Sequence, residues 1–261
     1  MNLQLKDKVI IVTGGAKGIG EGIVKLLAEE GAIPVIIGRD ETDNKKLVAT
    51  LHDSGLQAAQ FVAELSIPEE CKKAVDEVMK KFGRIEGVVN NAGKNDGVSL
   101  EKGTYEEFMA SMHRNLVHYF LIAHYALPAL KVSKGSIVNI SSKTAETGQG
   151  GTSAYAAANG GRNALTREWA VELLPYRIRV NAIIVAECWT PQYKTWINSL
   201  PDAEAKLKKI NARIPLENRM TTPEEIANMT AFLLSERSSH TTGQLIHVDG
   251  GYVHLDKIIN D

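Results

Sequence analysis

Ser142 and Tyr155 stand thirteen residues apart, and four residues beyond the tyrosine the chain carries Asn159. Ser142 closes the β-branched run Ser136-Ile-Val-Asn-Ile-Ser-Ser142, while Tyr155 lies in the alanine-rich stretch Ser153 to Asn159, which reads as a helix. On a helix, positions i and i+4 share a face, so residue 159 is expected to look at whatever the phenol looks at. A serine and a tyrosine hydroxyl converging on one point can bind a carbonyl or alcohol oxygen and pass it a proton, with the tyrosine as general acid or base. A cation ~6 Å from the phenol, at an effective dielectric of ~20, would stabilise the phenolate by about 3 kcal/mol. Asn159 brings no charge, so the efficiency of that proton transfer is the open question of this sequence.

The elements that must position these groups are legible as an alternation. Val9 to Thr13 is followed by an amphipathic stretch from Glu21 to Glu30, Pro34 to Ile37 by Asn44 to Asp53, and Ala59 to Val62 by Glu69 to Phe82. Gly87 to Asn90 precedes one long helical stretch from about Tyr105 to Leu130; Ser136 to Ile140, Tyr155 to Leu174 and Ile178 to Ile184 come next. A helix from Pro223 to Leu234 and a last strand from Gln244 to Val248 complete the series, which the turn Asp249-Gly-Gly251 ends. Such βα repetition predicts an α/β fold, a parallel sheet with helices on both faces. One domain over residues 1–261 is expected. Residues 190–220 break the rhythm with prolines and scattered lysines, and are read as a substrate-binding loop or lid.

Composition removes several function classes. Hydrophobic residues make up 44% of the chain, ample for a sizeable core, and the net charge of −1 gives no footprint for nucleic acid or a polybasic membrane surface. The start lacks the apolar core of a signal peptide. The apolar stretch from Tyr119 to Leu130 is interrupted by His124 and Pro128 and is too short to span a bilayer. Cys71 and Cys188 form neither a metal pair nor a disulfide framework, so a reducing, cytoplasmic setting is expected. No metal is expected either: His113, His118 and His124 on the long helix lack a facing carboxylate. The lysines of Ala205 to Lys209 read as a solvated helix face.

The first strand runs into Thr13-Gly-Gly-Ala-Lys-Gly-Ile-Gly20 and then into a helix. Gly14, Gly18 and Gly20 allow a tight turn around Lys17 and Ile19, and let a pyrophosphate approach backbone N–H groups at a helix N-terminus. A dinucleotide is the ligand this context favours. At the end of the second strand, Gly38 occupies the place of the carboxylate that would bind the ribose 2′-hydroxyl of NAD, and Arg39 and Asp40 follow. Arg39 can pair a phosphate bidentately and Lys17 adds a second charge, so the lean is towards NADP, with NAD possible through Asp40.

With Thr13 to Gly20, Asn90-Asn-Ala-Gly93, Asn115, Ser142 and Tyr155 in this order, the chain resembles the short-chain dehydrogenase/reductase family from end to end. The resemblance implies a single Rossmann-type doubly wound domain with a seven-stranded parallel sheet, a nicotinamide cofactor, and a homotetramer or homodimer. It implies that Asn91, Ala92 and Gly93 line the cofactor, that Glu64 and Leu65 flank adenine, and that the loop from Val185 to Thr190 meets the nicotinamide, with Thr190 on its carboxamide. In the family pattern tyrosine exchanges the proton, serine holds the substrate oxygen, asparagine supports a water relay, and a lysine holds the ribose and assists the tyrosine. Asn115, Ser142 and Tyr155 match three of the four, and Asn159 replaces the lysine; its amide can still hydrogen-bond ribose hydroxyls. Three readings stand: a slower site or one with a cation from elsewhere, such as the oxidised nicotinamide, Lys143 or Lys94; a protein that binds the cofactor without turnover; or an asparagine introduced to trap a complex.

Around the expected pocket the chain places Lys143, Glu146, Gln149, Glu187, Trp189, Gln192, Tyr193 and Trp196, with Asn95 and Asp96 after the nucleotide loop. Polar side chains matched to hydroxyls, with an aromatic face for a ring, suit a sugar better than an acyl chain. Lys143, Gln149, Glu187 and Trp189 are the expected substrate contacts. Thr166-Arg-Glu-Trp-Ala-Val-Glu172 and Ala186-Glu-Cys-Trp-Thr-Pro191 are similar to the sugar-oxidising branch of the family that includes L-fucose dehydrogenases. That implies oxidation of an aldose at the anomeric carbon. A 3-oxoacyl-type carbonyl reductase and a non-catalytic dinucleotide-binding protein are the alternatives.

Overall fold

The computed structural model describes residues 2–255. Seven strands, β1 (Val9–Thr13), β2 (Ile33–Gly38), β3 (Ala59–Val62), β4 (Gly87–Asn90), β5 (Ser136–Ser142), β6 (Arg179–Val185) and β7 (Leu245–Val248), form one sheet in the order β3-β2-β1-β4-β5-β6-β7. Every pairing is parallel. β1, β3 and β4 have the bounds read from their β-branched runs, and β5 runs on to Ser142. The helices are α1 (Gly18–Glu29), α2 (Glu41–Asp53), α3 (Pro68–Phe82), α4 (Tyr105–Met112), α5 (His118–Ser133), α6 (Ser153–Glu172), α7 (Pro191–Asn198), α8 (Ala203–Asn211) and α9 (Pro223–Leu234).

Strand periodicity sends alternate side chains to opposite faces, so each strand feeds two cores. Val9 and Ile11 of β1 join Cys71 and Val75 of α3, Tyr119 and Ile122 of α5, and Trp169 of α6. Ile10 and Val12 join Ile23 of α1, Leu47 of α2 and Ile226 of α9. The fold is therefore the doubly wound α/β sheet with helices on both faces. Among the described residues no helix is long and apolar enough to cross a membrane. Burial pushes both the Cys71 and Cys188 thiols up to about 12, which leaves them unreactive.

Two departures from the sequence expectation matter for function. The long stretch after β4 is not one regular helix: a π-helical turn, His113–Val117, separates α4 from α5 and carries the buried Asn115. A π turn leaves local carbonyls without their usual partners, a device common at functional sites. Residues 190–220, read as a loop, contain α7 and α8. Proline at the start of α7 and the Thr190 hydroxyl, which accepts from the Tyr193 N–H at 3.2 Å, explain that helix; Asp202 caps α8, which has no buried residue.

The ends of β1 and β4 are tied by Thr13. Its hydroxyl oxygen accepts from the N–H groups of Asn91 and Ala92 at 2.9 and 3.1 Å. The Asn91 amide in turn donates to the carbonyls of Thr13 and Gly14 at 2.9 and 3.2 Å. Behind it a buried polar ladder runs from Asn90 through Asn139 to Thr166, at 3.0 and 2.9 Å, and docks α6 on the sheet. The Tyr119 hydroxyl does the same for α5, donating to the Ile140 carbonyl at 2.9 Å.

Thr13→Val keeps the shape of the side chain and strands two N–H groups, each worth roughly 1–3 kcal/mol when unsatisfied. Urea unfolding of this variant is expected to show a loss of about 2 kcal/mol with an unchanged slope. A pH prediction rests on His118, fully buried on α5 with Nε2 2.9 Å from the Arg114 carbonyl. Burial, and then the nearby Arg162 charge, push its pKa down from 6.5 to about 3. The unfolded chain thus binds the proton more readily, so this contribution to stability is complete above pH 6.5 and is lost as pH falls towards about 3. Between about pH 6.5 and 4.5, the unfolding free energy of the wild type is expected to fall more steeply than that of His118→Gln.

Candidate active site

The C-terminal ends of β1 and β4 face a cleft where the sheet order reverses, since the crossovers from β1 to β2 and from β2 to β3 wind one way and those from β4 onward the other. All thirteen residues that the sequence reading assigns to a cofactor line this one cleft: Gly14, Lys17, Gly18, Ile19, Gly20, Arg39, Glu64, Leu65, Asn91, Ala92, Gly93, Val185 and Thr190. The cradle has the shape a dinucleotide requires. Gly14 and Gly18 hold φ of +62° and +56°, and a Cβ on Gly20 would lie 2.2 Å from the Gly14 carbonyl oxygen. No side chain caps α1, so its first-turn N–H groups remain available to a phosphate.

The charges at the far end of the cleft pair differently from the sequence expectation. Lys17 bonds Asp43, with Asp40 at 3.4 Å, and the Asp43 hydrogen bond is the main cause raising its pKa. Asp40 also caps α2, accepting from the Asp43 N–H at 3.0 Å. It neutralises Lys17 and not Arg39. Arg39 is exposed and reaches Glu64 at 3.4 Å. Burial works to raise the Glu64 carboxyl, but hydrogen bonds from Ser66 and the Arg39 charge outweigh it, and Glu64 is held below the ordinary carboxylate value.

Ser142 and Tyr155 line the same cleft, one from the end of β5 and one from the first turn of α6. The Ser142 hydroxyl oxygen accepts from the Thr144 N–H at 3.3 Å and keeps its own proton to donate. Asn115 is buried behind them; its side-chain carbonyl accepts from the Lys94 N–H at 2.7 Å, and its amide donates to Ser111 at 3.2 Å. Asn159 corrects the expectation most. It is fully buried and does not line the cleft. Its Nδ2 donates to the Tyr155 carbonyl at 2.8 Å, and its Oδ1 accepts from Arg162 Nη1 at 2.9 Å. The i,i+4 rule put it on the face of Tyr155, but the amide is turned along the helix and used there.

Arg162, which the sequence reading passed over, is the charged group bonded to Asn159, whose amide in turn bonds the Tyr155 backbone. It is 3% exposed and forms part of the cleft wall. Its Nε donates to the Asn115 carbonyl at 2.7 Å, and Nη1 donates also to the Ile140 carbonyl at 3.1 Å. Its guanidinium carbon sits 4.2 Å from the centroid of the Tyr119 ring. The available signal was a lone arginine one helical turn after Asn159 on a face otherwise built of small or polar residues. Of the side-chain cations named from sequence, Lys143 is buried in an ion pair with Glu187 beneath Tyr252, whose ring centroid is 4.1 Å away, and Lys94 is exposed on the cleft wall.

Of the expected substrate contacts, Lys143, Glu187 and Trp189 do not themselves line the cleft but stand beside Tyr193, which lines it together with Gln192. The Tyr193 hydroxyl bonds Glu187; burial, then that carboxylate, raises its pKa. The Tyr193 ring stands 6.3 Å from Trp189 and 5.2 Å from Trp196, centroid to centroid, with both tryptophans partly exposed. Lys143, Glu187 and Trp189 thus form one cluster with Tyr193. Gln149 is exposed between β5 and α6 and does not line the cleft. Asn95 lines the cleft, and Asp96 pairs Arg114 at 2.7 Å. Glu146, His247 and His254 bring ligand atoms within 4.8 Å of one another, a grouping invisible in sequence because Glu146 comes from a segment about a hundred residues before the two histidines. The three are satisfied as a hydrogen-bonded chain, Glu146 to His247 at 2.9 Å and His247 to His254 at 3.2 Å. His124 stacks on Phe120 at 5.5 Å.

Known proteins are similar to this chain in sequence and in fold. The family model described as enoyl-(acyl carrier protein) reductase matches residues 14–253. L-fucose dehydrogenase of Bos taurus is 33% identical over 252 residues, covering 96% of this chain and 91% of that protein. The 3-oxoacyl-[acyl-carrier-protein] reductase FabG of Thermotoga maritima is 36% identical over 253 residues, covering 96% of this chain and 100% of its own length. The crystal structure of Cj0485 dehydrogenase superposes with a TM-score of 0.94 at 45% identity, covering 100% of this chain and 99% of that one. With the cleft, the parallel seven-stranded order and these matches together, the chain belongs to the short-chain dehydrogenase/reductase family.

Proposed function

We propose that the chain is a nicotinamide-dependent dehydrogenase that oxidises a sugar hydroxyl, with an L-fucose-like aldose as substrate and the anomeric carbon as the position taken to a lactone. The observation that carries this reading is the placement of the Ser142 and Tyr155 hydroxyls on the wall of the cleft that also holds the uncapped start of α1. Bound nicotinamide supplies the hydride acceptor. Ser142 donates a hydrogen bond to the substrate oxygen, and Tyr155, as its phenolate, takes the proton that the sugar hydroxyl loses. Thr190, whose oxygen already accepts from Tyr193, keeps a proton to offer the carboxamide. Residues 190–220, with α7 and α8, act as the lid.

A sugar is favoured over an acyl chain by the cluster of Lys143, Glu187 and Tyr193 beside Trp189 and Trp196. Charged and hydroxyl groups next to aromatic faces can share their hydrogen bonds with hydroxyls on a ring, which an acyl chain does not carry. The similarity to L-fucose dehydrogenase supports the same choice, and the Thermotoga maritima relative keeps 3-oxoacyl reduction as the second reading. NADP is the preferred cofactor in this proposal, because Arg39 is exposed and held only by its 3.4 Å contact with Glu64, free to turn to a 2′-phosphate. The family resemblance carries with it a homodimer or homotetramer, which sedimentation would measure.

Steady-state assays over a panel of aldoses, with an acetoacetyl thioester run in the reducing direction, are expected to show kcat/KM for the best aldose at least ~100-fold above that for the thioester. Preference for the thioester, or no aldose oxidised with either cofactor, would sink the sugar reading. For the cofactor, Arg39→Ala is expected to weaken NADPH binding by roughly tenfold and to leave NADH binding unchanged, as read by fluorescence titration. Equal effects on the two would remove the NADP assignment.

A further inference from the structure

Arg162 stands three residues beyond Asn159 and seven beyond Tyr155, on one face of α6. Its acceptors are all uncharged: the backbone carbonyls of Asn115 and Ile140 and the side-chain carbonyl of Asn159. Among the described residues it forms no ion pair, although it is 3% exposed. Removing a guanidinium from water without a counter-charge is costly, and scaffolding alone would be served as well by a neutral side chain. Nη2 is buried and has no hydrogen-bond partner, while a Cβ on Gly93, at the cleft wall, would come within 2.8 Å of it. Two strong donors are therefore left unused at the cleft, between Gly93 and the helix of Tyr155.

Asn159 is the complement of this arrangement. Its oxygen accepts from Arg162 and its nitrogen donates to Tyr155, so one amide connects the guanidinium to the backbone of the tyrosine. A lysine at 159 has no acceptor and would set a second cation against the first. The π turn fits the same plan: it presents the backbone carbonyl of Asn115 to Arg162 Nε at 2.7 Å. The other ionisable groups around the pair are accounted for. His118 and Tyr119 on α5 are buried and neutral, Lys143 after β5 is paired with Glu187, and on the loop after β4 Lys94 is exposed while Asp96 pairs Arg114.

We propose that Arg162 is the cation of this active site, a positioning residue whose buried charge stabilises the phenolate form in which Tyr155 acts as base, with Asn159 as its matched acceptor. This rests on the reading of Tyr155 as the proton-accepting group in the proposed function. It changes the meaning of Asn159, which then marks a cation moved by one helical turn and not a cation lost.

The test uses the full chain as wild type, Arg162→Gln, Arg162→Lys and the double variant Asn159→Lys/Arg162→Leu. Ionisation of Tyr155 is read without ligand, as the tyrosinate absorbance difference between each protein and its Tyr155→Phe counterpart, and kcat/KM is measured against pH. In Arg162→Gln, Tyr155 is expected to ionise at a pH higher by about 1 to 2 and kcat/KM near pH 7 to fall ~10- to 100-fold, with the acidic limb moved upward. Arg162→Lys and the double variant, which keep one cation, are expected to ionise within about 0.5 of the wild type. Unchanged ionisation and an unchanged acidic limb in Arg162→Gln would overturn the proposal. If that variant does not fold, the double variant decides: ionisation within about 0.5 of the wild-type pH supports the proposal, and ionisation moved by 1 or more in either direction overturns it, a downward move showing that the wild type had no cation at work. A wild type that oxidises no alcohol would defeat the dehydrogenase reading alone, because the Tyr155 titration is read without turnover.

Discussion

Thr13 closes the junction between β1 and β4, where neighbouring strands connect in opposite directions and no crossover covers their ends. A parallel sheet wound outward from its middle must have one such place, and it must be open. Openness alone would leave backbone groups of two strand ends without partners in a half-buried crevice. The threonine hydroxyl accepts from Asn91 and Ala92 while the Asn91 amide covers the carbonyls of Thr13 and Gly14, so the junction is both open and satisfied. The glycine turn, the start of α1 and the loop after β4 all take their positions from it.

Ser142 and Tyr155 reach this crevice because the buried amide ladder and the Tyr119 hydroxyl hold α6 and α5 to β4 and β5. In such a layer every polar group is either satisfied or costly. Arg162 fits that layer through uncharged acceptors and the Tyr119 ring, with one nitrogen left over. Substrate-side polarity is handled in the opposite way: Lys143 and Glu187 cancel each other's charge, and Tyr193 extends their hydrogen bonds to the cleft. One end of the pocket thus carries an unpaired positive charge and the other a neutralised pair, a division suited to proton transfer at one end and hydroxyl recognition at the other.

Much of this was legible in the chain. Strand runs such as Val9 to Thr13 and Gly87 to Asn90 are short, β-branched or bounded by turns, and buried on both faces, so their composition marks them without ambiguity. The positions of the glycine turn, Gly14 to Gly20, fell on the cleft because a turn between a strand and a helix is set by local backbone chemistry, and those that the family resemblance implied, from Glu64 to Thr190, line the same cleft. The π turn was not legible, since one extra residue in a helix leaves the apolar spacing on either side almost intact. Nor were the helices α7 and α8, whose sequences have the prolines and lysines of a loop and whose caps, Thr190 and Asp202, show only when the backbone is seen.

What the amino-acid sequence determined by itself is the order of elements, the nucleotide turn, and the identity of the hydroxyls at Ser142 and Tyr155, because periodicity, glycine placement and side-chain chemistry are local properties. Helical spacing even placed residue 159 on the face of the tyrosine. Only the tertiary structure decided which way the Asn159 amide turns, that Lys17 and Lys143 are already paired, and that Arg162 is the buried charge beside the cleft. Those outcomes depend on acceptors brought from the π turn, from β5 and from the β6–α7 segment, dozens of residues apart, and a hydrogen bond's partner is chosen by distance in space.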